Sequence, residues 1–175
     1  RKVADKLQEL FNTARADFEG KWDDLKIFIE YGIVTDEKFA EKAEGFMLLK
    51  NTAGSYFTLA EYRDKVKENQ TDRNGTVIYI YTDDAVGKHS FVRGAEEKGY
   101  DVLLMDGQLD NHFVSWYENK EKGCRFVRVD SDVAERLIDK ETSMSMSLSS
   151  EQQDIMRPVF ESQLPTDQKI FYNIA

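Results

Sequence analysis

Three short apolar runs between Val77 and Val129, VIYIY, DVLLM and CRFVRV, alternate with stretches of helix-like pattern, and they constrain the fold more tightly than any other feature. Each is rich in Val, Ile, Leu, Tyr or Phe and is bounded by turn or charged residues, as buried strands are. Strand, helix, strand, helix, strand with short connections implies parallel pairing through right-handed crossovers. Both faces of VIYIY are apolar, which places that strand in the middle of the sheet.

Acidic residues follow each run: Asp83 and Asp84, then Asp106, then Asp130 and Asp132. Open α/β sheets collect ligands at the carboxyl ends of their strands, so these oxygens could hold Mg²⁺ or include a phosphoacceptor. The same spacing arises if the aspartates cap the following helices and favour their positive ends, and this capping reading is preferred because it needs no ligand.

Upstream, Val3, Leu7, Leu10 and Phe11 form the stripe of an amphipathic helix over residues 2–16. After a break near Asp17 to Gly20, Phe18, Trp22, Leu25 and Ile29 repeat the pattern, with Phe28 widening the stripe and a stop at Tyr31-Gly32. A third helix follows Thr35-Asp36 and buries Phe39 and Ala43. FMLLKNTAGSYFT reads as a helix end or short strand followed by a loop. Thr58-Leu59-Ala60-Glu61 is a capping box that opens a helix with Leu59, Tyr62 and Val66 inward, and Asn74-Gly75 turns the chain into the first strand. Between the strands, Phe91, Val92 and Ala95 share one helix face, ending at Lys98-Gly99, and Leu109, Phe113 and Trp116 share the next. The expected class is therefore α/β: a helical segment over 1–70, then a small three-layer α/β/α unit over 71–140 with a short parallel sheet. Residues 141–150, within the serine- and methionine-rich ETSMSMSLSS, read as a linker. Beyond it Ile155, Val159 and Phe160 suggest a helix interrupted by Pro158, and IFYNIA suggests a strand.

Chemistry is sparsely supplied. A chain of 175 residues buries roughly 70% of its unfolded surface, and Cys124, the single cysteine, allows no internal disulfide, which favours a reducing cytoplasm. No apolar stretch approaches the ~20 residues of a membrane helix, and no export leader opens the sequence, so the expectation is a soluble protein. Because Arg1 leads straight into a helical pattern, the chain reads as a piece of a longer polypeptide. A formal charge of −9 with no basic stripe disfavours nucleic acid. Neither phosphate-binding glycine pattern is present. His89, His112 and Cys124 supply too little for zinc, and no third group orients a Ser-His or Cys-His pair. Asp23-Asp24, Glu41 with Glu44, and Glu96-Glu97 are read as solvated helix faces. QLDNHFVSWYENK crowds Leu109, Phe113, Trp116 and Tyr117 onto one short helix. They exceed one narrow face, so Tyr117 or Trp116 is expected to stay outside as a partner-binding patch.

WDDLKIFIEYGIVTDEKF, FMLLKNTAGSYFTLAEYRDKVKENQ, TVIYIYTDD, GYDVLLMDGQLD and RFVRVDSD, in that order and spacing, resemble the middle segment of the ninety-kilodalton heat-shock chaperones, most closely the bacterial HtpG branch. LSSEQQDIMRPVFESQLP resembles the start of that family's C-terminal dimerisation domain, which would occupy 151–175. The resemblance implies a homodimeric, ATP- and Mg-dependent chaperone in the cytoplasm, whose partners are unfolded clients and its own other domains. In this family the arginine that reaches the ATP γ-phosphate lies upstream of the helix that RKVADKL resembles, so no catalytic residue, cofactor or metal site is carried over and the fragment alone is not expected to be an ATPase. Clients contact the helix matching residues 109–118, which makes His112, Phe113, Ser115 and Trp116 the candidates. The alternative, from the residues alone, is a small cytoplasmic α/β Mg-dependent enzyme or phosphoacceptor domain using the strand-end aspartates.

Overall fold

The computed structural model describes residues 2–132 together with Ala134, Arg136 and Leu137. The expected linker, the helix around Pro158 and the closing strand lie outside the described residues.

Four helices open the chain: α1 (Lys2–Thr13), α2 (Arg15–Gly20), α3 (Trp22–Thr35) and α4 (Glu37–Ala43). The first break falls at Ala14, whose φ of −147° leaves the helical region, so the single helix expected over 2–16 is two. Leu7, Leu10 and Phe11 pack partly buried against the core, whereas Val3 is 66% exposed and Ala4 takes its place inside. In α3, Trp22, Ile29 and Ile33 are buried as the spacing requires. Phe28, expected to widen that stripe, is 74% exposed. Gly32 does not stop the helix; a Cβ there would stand 2.6 Å from the Phe39 ring, so the missing side chain lets α4 close onto α3. The stop is Asp36, whose carboxylate accepts from the Lys38 and Phe39 amides and caps α4.

A hairpin follows, β1 (Leu48–Lys50) antiparallel to β2 (Tyr56–Thr58), then α5 (Leu59–Val66). The capping box forms as expected: Glu61 N donates to Thr58 Oγ1 at 3.2 Å and Thr58 N to Glu61 Oε2 at 2.8 Å. Arg15 reaches the same Glu61 carboxylate, fastening α2 to α5. Gly75, at φ +80°, sits in the turn that Asp72 organises by accepting from the amides of Asn74 and Thr76.

The rest is β3 (Val77–Thr82), α6 (His89–Glu97), β4 (Val102–Leu104), α7 (Asp110–Lys120) and β5 (Cys124–Arg128). The strands are parallel in the order β4-β3-β5, with Ile80 opposite Val102 and Val77 opposite Cys124, so the first strand is central as its two apolar faces require. Side chains alternate across this sheet. Val77 and Tyr79 enter a large core with the N-terminal helices, the hairpin, α5 and α7; Ile78 and Ile80 enter a smaller one with Val92, Ala95, Tyr100 and Ala134. Helices on both faces make the three layers. The hairpin also closes the β4 edge, Asn51 bridging to Leu103 and Thr52 N donating to Val102 O at 2.9 Å. Gln70, 1% exposed, ties two strands: its amide donates to Ile78 O and its oxygen accepts from Asp101 N. Among the described residues no helix is long and apolar enough to cross a membrane.

Candidate functional site

The helix singled out by its aromatic content is α7, and its start is fixed from below. Asp110, the first residue, is 2% exposed and accepts from Gly107 N at 2.6 Å, closing the loop that enters the helix. Lys26 on α3 straddles the same carboxylate, 2.8 Å from Oδ2 and 2.7 Å from Oδ1. Beside it lies Glu30, 1% exposed, whose carboxyl hydrogen-bonds the Asp110 carboxylate once one of the two carries a proton. Burial first, then the neighbouring Asp110 carboxylate, push the Glu30 carboxyl up to about 9, while Lys26 pulls the other way. Glu30 is therefore neutral near pH 7, two carboxyl groups being served by one lysine.

Along the helix, Phe113 at 0% and Tyr117 at 7% exposure are committed to the core and stack at 5.9 Å between centroids, inclined by 19°. Tyr117 stacks in turn on Tyr79 of the central strand. Trp116 is half-buried, lying 6.0 Å from Phe113 and 6.3 Å from Tyr117, with the Lys120 ammonium 5.3 Å from its ring centre. Lys120 also pairs with Glu44 at the end of α4. His112 and Ser115 are exposed, the Ser115 hydroxyl donating to Asn111 O at 3.0 Å. Of the four candidates, then, two stand on the outer face, Trp116 shows part of its ring, and Phe113 supports them from beneath. Trp116 and not Tyr117 is the aromatic that reaches solvent. Glu118 accepts from Phe126 N at 2.6 Å and fixes the far end of α7 to β5.

The strand-end aspartates do not act as the expected helix caps. No side chain caps the first turn of α6 or of α7 at the residue preceding the helix. Asp84 accepts from the amides of Val86 and Gly87, organising the turn before α6, and Ser131, not an aspartate, accepts from Ala134 N. Asp83 and Asp130 share Lys88, and Arg128 makes two bonds to Asp130, at 3.0 and 2.7 Å. Arg128 holds the Asp130 carboxyl down to about 2 and Lys88 lowers that of Asp83. The Lys88 ammonium stands between Asp83 and Asp130, and among the described residues no group of three or more His, Cys, Asp or Glu could hold a metal. Cys124 is buried, and burial pushes its thiol up to about 12, far from a nucleophile's range. His89 is exposed. Asp23 meets Lys50, Glu44 meets Lys120 and Glu97 meets Arg93, so the carboxylate pairs serve single cations and not one another.

Sequence reasoning missed Glu30, Lys26 and Asp110 as a group. The signal was Glu30 itself: it lies one residue after Ile29 and three before Ile33, inside the stripe that faces the core. A charged residue there needs a buried partner.

With the geometry in place, the likeness to known proteins is specific. A family profile described as Hsp90 protein matches residues 1–165. The chain is 47% identical over 175 residues to the chaperone protein HtpG of Porphyromonas gingivalis, covering 100% of this chain and 26% of that one. It is 46% identical over 174 residues to HtpG of Bacteroides fragilis, again covering 26% of the relative. The chain thus spans about a quarter of the length of these curated relatives. The fold is similar to the middle domain of a putative heat shock protein of Plasmodium falciparum, with a TM-score of 0.54 at 17% identity, over 74% of this chain and 54% of that one.

Proposed function

Because the chain belongs to the Hsp90 protein family and has a middle-domain fold, we propose that it works within a longer ATP-dependent molecular chaperone, linking a nucleotide domain to a dimerisation domain and contacting unfolded clients. In this reading residues 1–70 and 71–140 are the helical and α/β/α parts of the later middle domain, 141–150 the linker, and 151–175 the start of the dimerisation domain. The parent is a cytoplasmic homodimer that binds ATP and Mg²⁺ outside this stretch.

The observation that supports client contact is the outer face of α7. His112, Ser115 and the open part of Trp116 lie on a helix whose other side is locked by Phe113, Tyr117 and Asp110. Such a surface is presented without reorganisation, which keeps the entropic cost of binding low. The test is to replace Trp116 with Ala and follow light scattering of an aggregating unfolded protein. Suppression is expected to weaken several-fold while the far-ultraviolet circular dichroism stays unchanged. Undiminished suppression removes Trp116 from the contact. The 175-residue chain should bind no ATP, whereas the full polypeptide should hydrolyse it.

A further inference from the structure

We propose that α3 and the first turn of α7 are joined by a proton-operated latch: Glu30 and Asp110 share one proton beside Lys26, and its loss to solvent loosens the turn that leads into the client face. The link to clients rests on the reading of α7 given above; the latch rests on the side-chain cluster itself. The three side chains meet where the middle of α3 packs against the entry to α7. Glu30 is 1% and Asp110 2% exposed. Buried carboxyl oxygens need partners, yet the rest of the chain leaves both Glu30 Oε1 and Asp110 Oδ1 without a hydrogen-bond donor. Lys26 stands 2.7 Å from Oδ1 but directs its hydrogen bond to Oδ2. A single proton between the two carboxyls satisfies both oxygens at once.

Without that proton the cluster carries a charge it has no means to hold. Lys26 is the one ammonium facing both carboxyls; Lys50 of β1 lies 3.4 Å from Asp23, and Asp106 in the loop after β4 adds a further acid near by. The remaining walls are apolar side chains of α3, β1, β4 and the residues flanking the two strands. Two adjacent carboxylates in such a place repel strongly, and burial first, then Asp110, accordingly pushes the Glu30 carboxyl up to about 9. The space beside them, about 10 Å³, admits no more than one water, too little to solvate a second charge.

The side that yields is α7. Glu30 follows the buried Ile29 in the middle of a 14-residue helix, whereas the first turn of α7 has no side-chain cap at the residue preceding it and depends on Asp110. Asp110 Oδ2 accepts from Gly107 N at 2.6 Å, and a Cβ at Gly107 would lie 3.0 Å from that oxygen and 3.2 Å from Lys26 Nζ. The entry loop closes this tightly because position 107 carries no side chain. Once Asp110 is pushed away from Glu30 that closure is lost, and His112 and Ser115, on the two turns that follow, lose their fixed footing.

The test follows the 175-residue chain by carbon-detected NMR as pH is raised from neutrality. Glu30 Cδ is expected to titrate near 9, and the Asp110 Cγ and Gly107 Cα signals should move with the same midpoint. Glu30 titrating in the ordinary carboxyl range, or Gly107 unmoved while Glu30 titrates, overturns the latch, and neither measurement needs a substitution. Function is read from the binding of fluorescein-labelled α-lactalbumin kept unfolded by reduction and carboxymethylation. One pH unit above the midpoint about a tenth of the molecules keep the proton, so the wild-type chain should bind about tenfold more weakly than Glu30→Gln, whose amide donates to Asp110 at every pH. Near neutrality the two should bind alike. Equal affinities at both pH values overturn the link between the latch and the client face. Trp116→Ala separates the readings: if binding near neutrality survives it, Trp116 leaves the client contact, while the NMR titration still decides the latch.

Discussion

The two crossover helices of the sheet obey one rule of connection and are held very differently. α6 buries only Val92 and Ala95 of its nine residues, leaves Phe91 42% exposed, pairs Arg93 with Glu97 within the helix, and meets the hairpin through the Thr52 hydroxyl on Glu96. α7 buries Asp110, Phe113 and Tyr117, and is tied to α3 by Lys26, to α4 by Lys120 and to β5 by Glu118. Right-handed crossover decides on which face of the sheet each helix lies. Side-chain content decides how firmly it stays there, and the firmly held helix is the one whose outer residues are proposed to meet clients.

Mutations on the two helices should separate these regimes. Phe113→Ala is expected to destabilise by about 3–5 kcal/mol and Val92→Ala by about 2, read from denaturant midpoints; equal costs would erase the contrast. Asp110→Ala, which removes the buried acceptor of both Gly107 N and Lys26, should cost about 3 kcal/mol, against about 1 for Asp84→Ala in the turn before α6. Third comes a pH effect confined to the α7 side. The folded-state pKa of Glu30 is raised, to about 9, so between the ordinary carboxyl range and that value the native state holds a proton the unfolded chain has lost. Stability from this group is complete at low pH and falls as pH rises through that window. Glu30→Gln should flatten the fall, and an unaltered profile would place the titration elsewhere. The smallest change is expected from Lys88→Met near α6: carboxyl NMR should show Asp130 titrating somewhat above its present value of about 2, still held down by Arg128.

Much of the fold was legible because its signals are local or periodic. The unbroken apolar run of Val77 to Tyr81 gave the central strand, and Thr58 with Glu61 gave a cap that needs no distant partner. Phe28 and Phe91 were misplaced inside because hydrophobicity says that a residue would gain from burial, not that a neighbour exists to bury it. The second hairpin strand was hidden because Tyr56 to Thr58 run directly into the capping box. Gly32 read as a stop since its use, admitting the Phe39 ring, depends on a helix that has yet to fold against it. At the candidate site, the position of the aromatic helix could be read, but the division between Trp116 and Tyr117 could not, because it is set by Tyr79 across the sheet. The strand-end aspartates looked like caps because spacing records only the distance to the next helix. Lys88, which claims two of them, approaches through the tertiary fold.

The bond from Phe126 N to Glu118 has a further consequence. Among the described residues β5 is an edge of the sheet, and such an edge normally offers its outward amides to any extended chain that drifts alongside. Here the outward amide of Phe126 is taken by the Glu118 carboxylate and that of Cys124 by Glu121 O. A passing strand would find these two donors occupied and an acid in its path. Backbone pairing along this margin is thereby discouraged.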